Sequence, residues 1–179
     1  MRIVNIALAG CALLGILLPA AAWAQYEEEG TASKINLRLG LTRLLGSDEK
    51  RITSKSWYTE EIIYDYKQDD TGRTLGQIGL GLSEPSGGSS ASILFATVNK
   101  LWWKDAKNGK AFFGGAGIGA YKIKLFGDTE LKPGAQVFGG YNFTEEYFAE
   151  LRLTAMPSSF GNLVNFSSLT LSVGTRRLF

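Results

Sequence analysis

The sequence contains no histidine, and this limits the chemistry that its side chains can perform. Without an imidazole there is no histidine general base, no Ser-His-Asp or Cys-His nucleophile system and no histidine-ligated metal. The single cysteine, Cys11, makes neither an internal disulfide nor a zinc site by itself. The sequence therefore predicts a protein that is not an enzyme, with no catalytic residue, no metal site and no cofactor.

Two further patterns suggest chemistry but fail on their context. The run Gly115-Ala-Gly-Ile-Gly119 resembles a dinucleotide-binding loop, yet no helical pattern follows it, and alternation with larger residues favours a strand. Glu145 and Glu146 form a carboxylate pair within a short polar connection, where solvated charges are expected. A Ser-Lys pair stays open in principle, but no motif marks one.

Composition excludes several classes of protein. The 179 residues are 45% hydrophobic and 20% charged, which excludes a disordered chain. Lys and Arg number 19 against 17 Asp and Glu, giving a net charge of +2. No basic field of the kind that binds nucleic acid is present, so no nucleic-acid partner is expected.

Residues 1–24 have the pattern of a secretory signal peptide. A positive start is followed by an apolar run, a proline and Ala-Trp-Ala at 22–24, which predicts cleavage after Ala24. Residues 25–32 are then a flexible acidic leader. Two alternatives remain, namely retention of the segment as a membrane anchor and lipidation of Cys11, which ends a Leu-Ala-Gly-Cys box.

The remaining chain, 33–179, has alternating apolar and polar residues rather than helical periodicity. Leu37, Leu39 and Leu41, for example, alternate with Arg38 and Gly40. Eight such segments are predicted as strands: 33–45, 56–66, 74–83, 91–103, 111–125, 134–143, 147–156 and 167–179. The second and fourth are the least clear. In the fourth, apolar residues occur at both odd and even positions and compete for the apolar face.

Turn residues divide the connections between two sides of the predicted sheet. Asn108-Gly109 is typical of a type I′ hairpin, and 144–146 is short enough to require antiparallel neighbours. Both lie on the side that carries the chain ends. The longer connections 46–55, 84–90, 126–133 and 157–166 are predicted as loops on the opposite side.

The alternation fits a soluble barrel or sandwich as well as a membrane barrel, and three features favour the membrane. The predicted strands are 10 to 15 residues long, which is enough for a tilted transmembrane strand. Glycines share the polar face with large side chains, which a narrow barrel interior needs. Aromatic residues gather at one end, as at a lipid–water interface; the set is Tyr64, Tyr66, Trp102, Tyr141, Phe143 and Phe179.

An eight-stranded antiparallel up-and-down transmembrane β-barrel is therefore the predicted fold, with apolar side chains facing lipid. Its inward positions carry charges of both signs that are costly unless paired. The predicted interior charge network comprises Arg38, Glu61, Asp65, Glu150, Arg152 and Arg176. We expect it to fix the strand register; a proton or ion path along it is the alternative. A barrel of this size is filled by side chains rather than open as a pore.

Two segments carry a resemblance to a known family. Residues 134–155 resemble the strand–tight-turn–strand unit of small bacterial outer-membrane β-barrels, namely the outer membrane protein A barrel domain and the opacity-type porin-like proteins. The final LTLSVGTRRLF resembles their C-terminal assembly signal, although Arg177 stands where the family usually has an apolar residue. The resemblance implies a Gram-negative cell outer membrane location. It also implies outer-membrane lipid and, through the strand ending in Phe179, the barrel-assembly machinery as partners.

Two functions are compatible with such a barrel. The first is a non-enzymatic structural or adhesin-like role through short loops, including 46–55 and the residues Phe160, Leu163 and Val164, with the surface ligand unknown. The alternative is a barrel that binds or transports a small apolar ligand, either lipocalin-like or membrane-embedded. The barrel also resembles outer-membrane enzymes in size or topology, but those families use a catalytic histidine.

Overall fold

The computed structural model describes residues 35–46, 56–69, 72–83, 91–103, 111–144, 146–161 and 164–175, without the side chains of 65–69, 72, 73 and 103. All belong to one compact unit, Lys34–Leu178. The predicted signal peptide and leader lie outside the described residues. Among the residues described, no helix is long and apolar enough to cross a membrane.

Eight antiparallel strands form a closed barrel in which each strand pairs with its neighbours in sequence and β1 pairs with β8. Their bounds are β1 Ile35–Leu44, β2 Ser56–Asp69, β3 Gly72–Ser83, β4 Ala91–Trp103, β5 Ala111–Leu125, β6 Asp128–Asn142, β7 Tyr147–Ala155 and β8 Ser168–Thr175. Closure leaves no open edge along the part of the barrel that all eight strands share, as hydrocarbon requires. The predicted fold class is confirmed.

In the middle of the barrel the side-chain alternation places polar residues inside and apolar residues outside. Arg38 and Glu150 are each 3% exposed, whereas Leu39 and Leu171 are 60% and 58% exposed. This is the reverse of a soluble barrel and matches a wall that faces acyl chains. In β4 the competition between faces is resolved with Phe95 inward and its apolar neighbours outward.

The two ends of the barrel differ in their connections. We call the end with the connections after β1, β3, β5 and β7 the loop end, and the end where β1 begins and β8 ends the terminal end. Outward lysines, Lys122 and Lys124, mark the loop end of β5, whereas outward aromatics such as Trp102 and Phe112 mark the terminal end. The apolar belt lies between these two levels.

The strand register is staggered. A path of paired residues from Ile35 passes around all eight strands and returns to β1 at Leu45, whose backbone N–H donates to the Ser167 carbonyl at 2.9 Å. The path thus climbs from residue 35 to residue 45 of the same strand. Such a stagger requires strands tilted by about 35–45° from the barrel axis.

The predicted loop at 126–133 is wrong. β5 and β6 are joined by two residues, Phe126 and Gly127, with φ of 54° and 92°, and β6 already begins at Asp128. Pro133 lies inside this strand. Because Phe143 N–H donates to Tyr147 O, the backbone groups of odd-numbered β6 residues, including position 133, point toward β7. Pairing with β7 begins only at Ala135, so the N–H that proline lacks has no partner to lose.

Candidate functional site

Four charged side chains meet in the middle of the barrel interior. This charge cluster comprises Arg38 of β1, Glu61 of β2, and Glu150 and Arg152 of β7, each on an inward position and at most 3% exposed. Inward parity in strands on different sides of the barrel brings them together. Two positive and two negative charges make the cluster neutral.

Arg152 makes the most contacts in the charge cluster. Its Nη1 and Nη2 donate to the two carboxylate oxygens of Glu61 at 2.9 and 3.2 Å, a bidentate pair across the barrel. Its Nη2 also donates to Glu150 Oε1 at 2.7 Å. Arg38 donates a hydrogen bond to the same Glu150 oxygen. Its Nε lies 2.9 Å from Glu61 Oε2 and forms an ion pair, although the angles at this contact are not those of a hydrogen bond. Each carboxylate is therefore shared by both guanidinium groups.

Aromatic rings and amides complete the surroundings of the charges. The guanidinium carbon of Arg38 lies 5.7 Å from the Phe148 ring centre, and that of Arg152 lies 5.9 Å from the Phe138 ring centre. Gln77 Nε2 donates to Glu61 at 2.8 Å. These contacts hold the charges in a single arrangement, because the loss of any partner would leave a buried charge uncompensated.

A network of neutral polar groups continues from Gln77 across the barrel. Asn99 donates to Gln77 at 3.2 Å and to Thr97 at 2.9 Å, while Gln136 donates to Asn99 and accepts a hydrogen bond from Tyr121 at 3.2 Å. The alternation predicted Gln77 and Gln136 as inward. It did not single out Thr97 and Asn99, because the face of β4 was ambiguous.

Apolar side chains close the interior at the loop end. We call this set the loop-end plug; its buried members are Leu44, Trp57, Ala91, Ile93, Phe95, Tyr121, Ile123, Leu125, Met156, Val164 and Phe166. Val164 and Phe166 come from the β7–β8 connection and are 2% and 0% exposed. Val164 was a predicted recognition residue; its burial makes it part of the plug instead. Leu163 lies outside the described residues.

The β7–β8 connection folds back over the barrel mouth. Ser159 and Val164 exchange backbone hydrogen bonds of 2.7 and 3.2 Å, which forms a small hairpin. The Phe160 N–H donates to the Glu130 carboxylate of β6 at 3.0 Å, and Lys132 Nζ lies 3.1 Å from the same oxygen. Glu130 pairs with Ile123, between the outward residues Lys122 and Lys124, and so lies at the loop end outside the apolar belt. The Phe160 amide, followed by Lys132, lowers the pKa of Glu130.

A second apolar set closes the terminal end. This terminal-end plug contains Ile63, Leu75, Leu101, Phe113, Phe138 and Phe148. Phe113 and Phe148 make an edge-to-face contact with ring centres 5.9 Å apart. The charge cluster thus lies between two apolar layers.

A cavity of about 30 Å³ lies between the charge cluster and the loop-end plug. Its lining includes Glu61, Arg152, Tyr121 and Gln136, together with the plug residues Trp57 and Met156. A volume of this size holds about two water molecules, whereas drug-sized ligands occupy pockets of roughly 300–1,000 Å³. Among the described residues, no group of acidic or cysteine side chains could hold a metal ion.

The remaining predicted site residues are placed as follows. The side chains of Asp65 and Tyr66, and the whole of Arg176 and Phe179, lie outside the described part of the chain. Tyr64, Trp102 and Phe143 are 52%, 47% and 48% exposed on the outside of the terminal end, and Tyr141 is half-buried there. Phe112 joins them, 76% exposed and 4.8 Å from the Tyr141 ring centre. Sequence alternation could have added Phe112, since it shares the outward parity of Ile118.

The fold and this interior define the class of the protein as an integral, eight-stranded transmembrane β-barrel. No family model and no curated protein matches the chain.

Solved structures of small outer-membrane barrels do match. Neisserial surface protein A (NspA) is 13% identical with a TM-score of 0.55, covering 82% of this chain and 99% of its own. The N-terminal barrel domain of Pseudomonas aeruginosa OprF is 12% identical, with a TM-score of 0.53 and coverages of 80% and 97%. The outer membrane enzyme PagL is 17% identical, with a TM-score of 0.55 and coverages of 80% and 99%. The chain thus shares the fold of small eight-stranded outer-membrane barrels.

Proposed function

We propose that this protein is a non-enzymatic integral β-barrel of the Gram-negative outer membrane with a structural or surface-recognition role. The observation that carries the proposal is an interior closed at both ends by apolar plugs within an apolar outer wall. A closed interior offers no path for solutes, and the wall holds the molecule in lipid. Recognition then belongs to the loop end.

The absence of histidine supports the non-enzymatic part of the proposal. The likeness to the enzyme PagL concerns the fold and carries no activity to this chain. The charge cluster has no open approach for a substrate among the described residues, because both plugs cover it. Its geometry supports a structural role, in which paired charges fix the strand register.

The apolar-carrier alternative has less support. A soluble carrier has a polar outer wall and an apolar interior along its length, whereas here the outer wall is apolar and the middle of the interior is polar and charged. The cavity of about 30 Å³ is lined in part by charged groups and is too small for an acyl chain. Contact between the last strand and the barrel-assembly machinery stays a prediction, since Phe179 lies outside the described residues.

Three measurements on expressed protein test the proposal. We expect the chain in the outer-membrane fraction, with a folded form that migrates faster on gels until it is boiled. In planar bilayers we expect no steady conductance, because the plugs fill the interior. A protein released as a soluble monomer would contradict the membrane assignment, and a stable open conductance would contradict the closed interior.

A further inference from the structure

Two lysines lie next to each other on the outer wall of β5, near its loop end. Lys122 and Lys124, which we call the lysine pair, have outward parity and are both exposed. Their Cα atoms are roughly 6.6 Å apart, because two residues along a strand span that distance. No hydrogen bond or ion pair joins either ammonium group to a described residue. Two like charges at this spacing repel each other, so the lysine pair favours an anion between them.

The position of the lysine pair along the barrel axis is that of lipid headgroups. Lys122 lies ten residues from Phe112, the exposed aromatic residue at the other end of the same outward row. Ten residues of a strand span about 33 Å, which a tilt of 35–45° reduces to roughly 23–27 Å along the axis. The apolar band of an outer-membrane barrel is about 25 Å tall. The lysine pair therefore lies at the edge of the hydrocarbon, at the level of the lipid phosphates.

The neighbouring strands complete the surface around the lysine pair. The lysine nearer the barrel mouth pairs with Ser92 of β4 and Thr129 of β6, whose hydroxyls share its outward parity. The other lysine pairs with Leu94 and Leu131, which are 49% and 70% exposed. A row of hydrogen-bond donors thus lies one step above a row of apolar side chains. This order matches that of a lipid, whose phosphate lies above its acyl chains.

The wall below the two leucines is shallow. The next outward row toward the terminal end consists of Ala96, Ala120 and Pro133, all exposed. Ile118 follows on β5 and is 70% exposed. Short side chains let an acyl chain lie close to the strands, where many weak van der Waals contacts add up.

The charges on the outer wall at the loop end have one sign. Besides the lysine pair, the charged outward residue of the described strands at this level is Arg43 of β1. The nearby acidic residues of β6, Asp128 and Glu130, occupy inward positions, and Glu130 is paired with Lys132. The outer wall is thus positive where it meets the headgroups, which favours negatively charged lipid.

We propose that the outer wall of β4, β5 and β6 binds the phosphate of an anionic lipid at the loop end of the barrel. The lysine pair contacts the phosphate, and the hydroxyls of Ser92 and Thr129 donate hydrogen bonds to its oxygens. An acyl chain runs past Leu94 and Leu131 along the shallow wall. The inference rests on the membrane part of the proposed function and adds a class of lipid and a position to it.

Lipid binding by the folded protein in detergent micelles tests the site, with bound lipid counted by native mass spectrometry. The wild type should bind phosphatidylglycerol roughly thirtyfold more tightly than diacylglycerol, which has the same chains without a phosphate, since each lysine near a headgroup contributes about a fivefold factor. Lys122→Gln together with Lys124→Gln should abolish this preference. Arg43→Gln, on a strand four positions from β5 in either direction around the barrel, is the control and should leave it unchanged.

Two further arms identify the charge and the source of the phosphate. Lys122→Arg together with Lys124→Arg keeps both charges and should keep the preference. Inorganic phosphate at equal ionic strength should not displace the lipid, because it makes no contact with the leucines. Equal binding of the two lipids by the wild type, a Gln double variant that binds as the wild type does, or displacement by inorganic phosphate would overturn the proposal.

Failure of this site and failure of the proposed function are distinguishable. The boiling-dependent gel shift reports the folding of each variant, and fractionation reports its location. A folded barrel that is found in the outer membrane but shows no preference for phosphatidylglycerol contradicts the lipid site alone. A chain that is absent from that membrane contradicts the proposed function and the lipid site with it.

Discussion

Glu60 and Glu61 are consecutive residues of β2 with opposite surroundings. Glu61 lies inside the barrel, where both arginines of the charge cluster and Gln77 contact its carboxylate. Glu60 lies outside, flanked by leucines of the neighbouring strands. The comparison teaches that strand parity alone decides the environment of a charge here. Interior charges are compensated within the chain, whereas a charge on the wall needs compensation from lipid, water or a partner.

Breaking the interior compensation should have the largest effect. Arg152→Met removes the bidentate partner of Glu61 and one partner of Glu150, leaving excess negative charge in a closed interior. We expect the free energy of unfolding to fall by about 3–5 kcal/mol. Urea unfolding in phospholipid vesicles measures it. Arg43→Met, at an exposed outward position near the loop end, is the control and should change it little.

Adding a charge to the wall should have the next largest effect. Leu171→Arg places a cation in the middle of the lipid-facing belt, and we expect a loss of about 2–4 kcal/mol in the same unfolding assay. Leu45→Arg, beyond the loop end of β1, should cost about 0–1 kcal/mol because water is near. Equal losses at both positions would mean that position 171 does not face hydrocarbon.

Removing the whole charge cluster should cost less than removing one member. In a variant that carries Arg38→Met, Glu61→Leu, Glu150→Leu and Arg152→Met together, no charge is left unpaired. We expect a free energy of unfolding no lower than that of Arg152→Met, since neutral replacement avoids the desolvation of four ions. A quadruple variant less stable than the single variant would show that the cluster contributes net stability.

The smallest effect is local and depends on pH. The Glu130 carboxylate has a lowered pKa because the Phe160 amide and Lys132 favour its charged form. Docking of the β7–β8 connection is therefore supported above the ordinary pKa of 4.5 and weakened as pH falls through the lower value. Hydrogen exchange at Phe160, compared between wild type and Glu130→Gln, measures this. The variant should show faster exchange at Phe160, without the added pH dependence that Glu130 ionisation gives the wild type.

Much of this arrangement could be predicted from the sequence because a strand has a period of two. Parity assigned Arg38, Glu61, Glu150 and Arg152 to one interior, although it gave no distances between them. The β5–β6 hairpin was missed because Phe126 is a non-glycine residue with positive φ, and turn statistics do not expect one there. The glycine and proline nearby suggested a longer loop instead.

The loop-end plug could not be predicted for a different reason. Val164 and Phe166 lie in a connection, where side-chain direction follows no period, and their burial depends on how the chain folds back over the mouth. Asn99 was missed because both faces of β4 carry large apolar residues. Parity is informative where one face is polar, and it loses that power where both faces are apolar.

The seam between β1 and β8 has a consequence for how the molecule forms. Thr42 and Thr170 share a hydroxyl hydrogen bond of 2.8 Å although 128 positions separate them along the chain. Contacts between such distant segments are entropically expensive to start and become favourable only when the intervening strands are already in place. We therefore expect assembly to finish at this junction. Until β1 and β8 pair, two rows of backbone amides and carbonyls stay unpaired. Closure of this seam is therefore the step that makes the barrel stable in the bilayer.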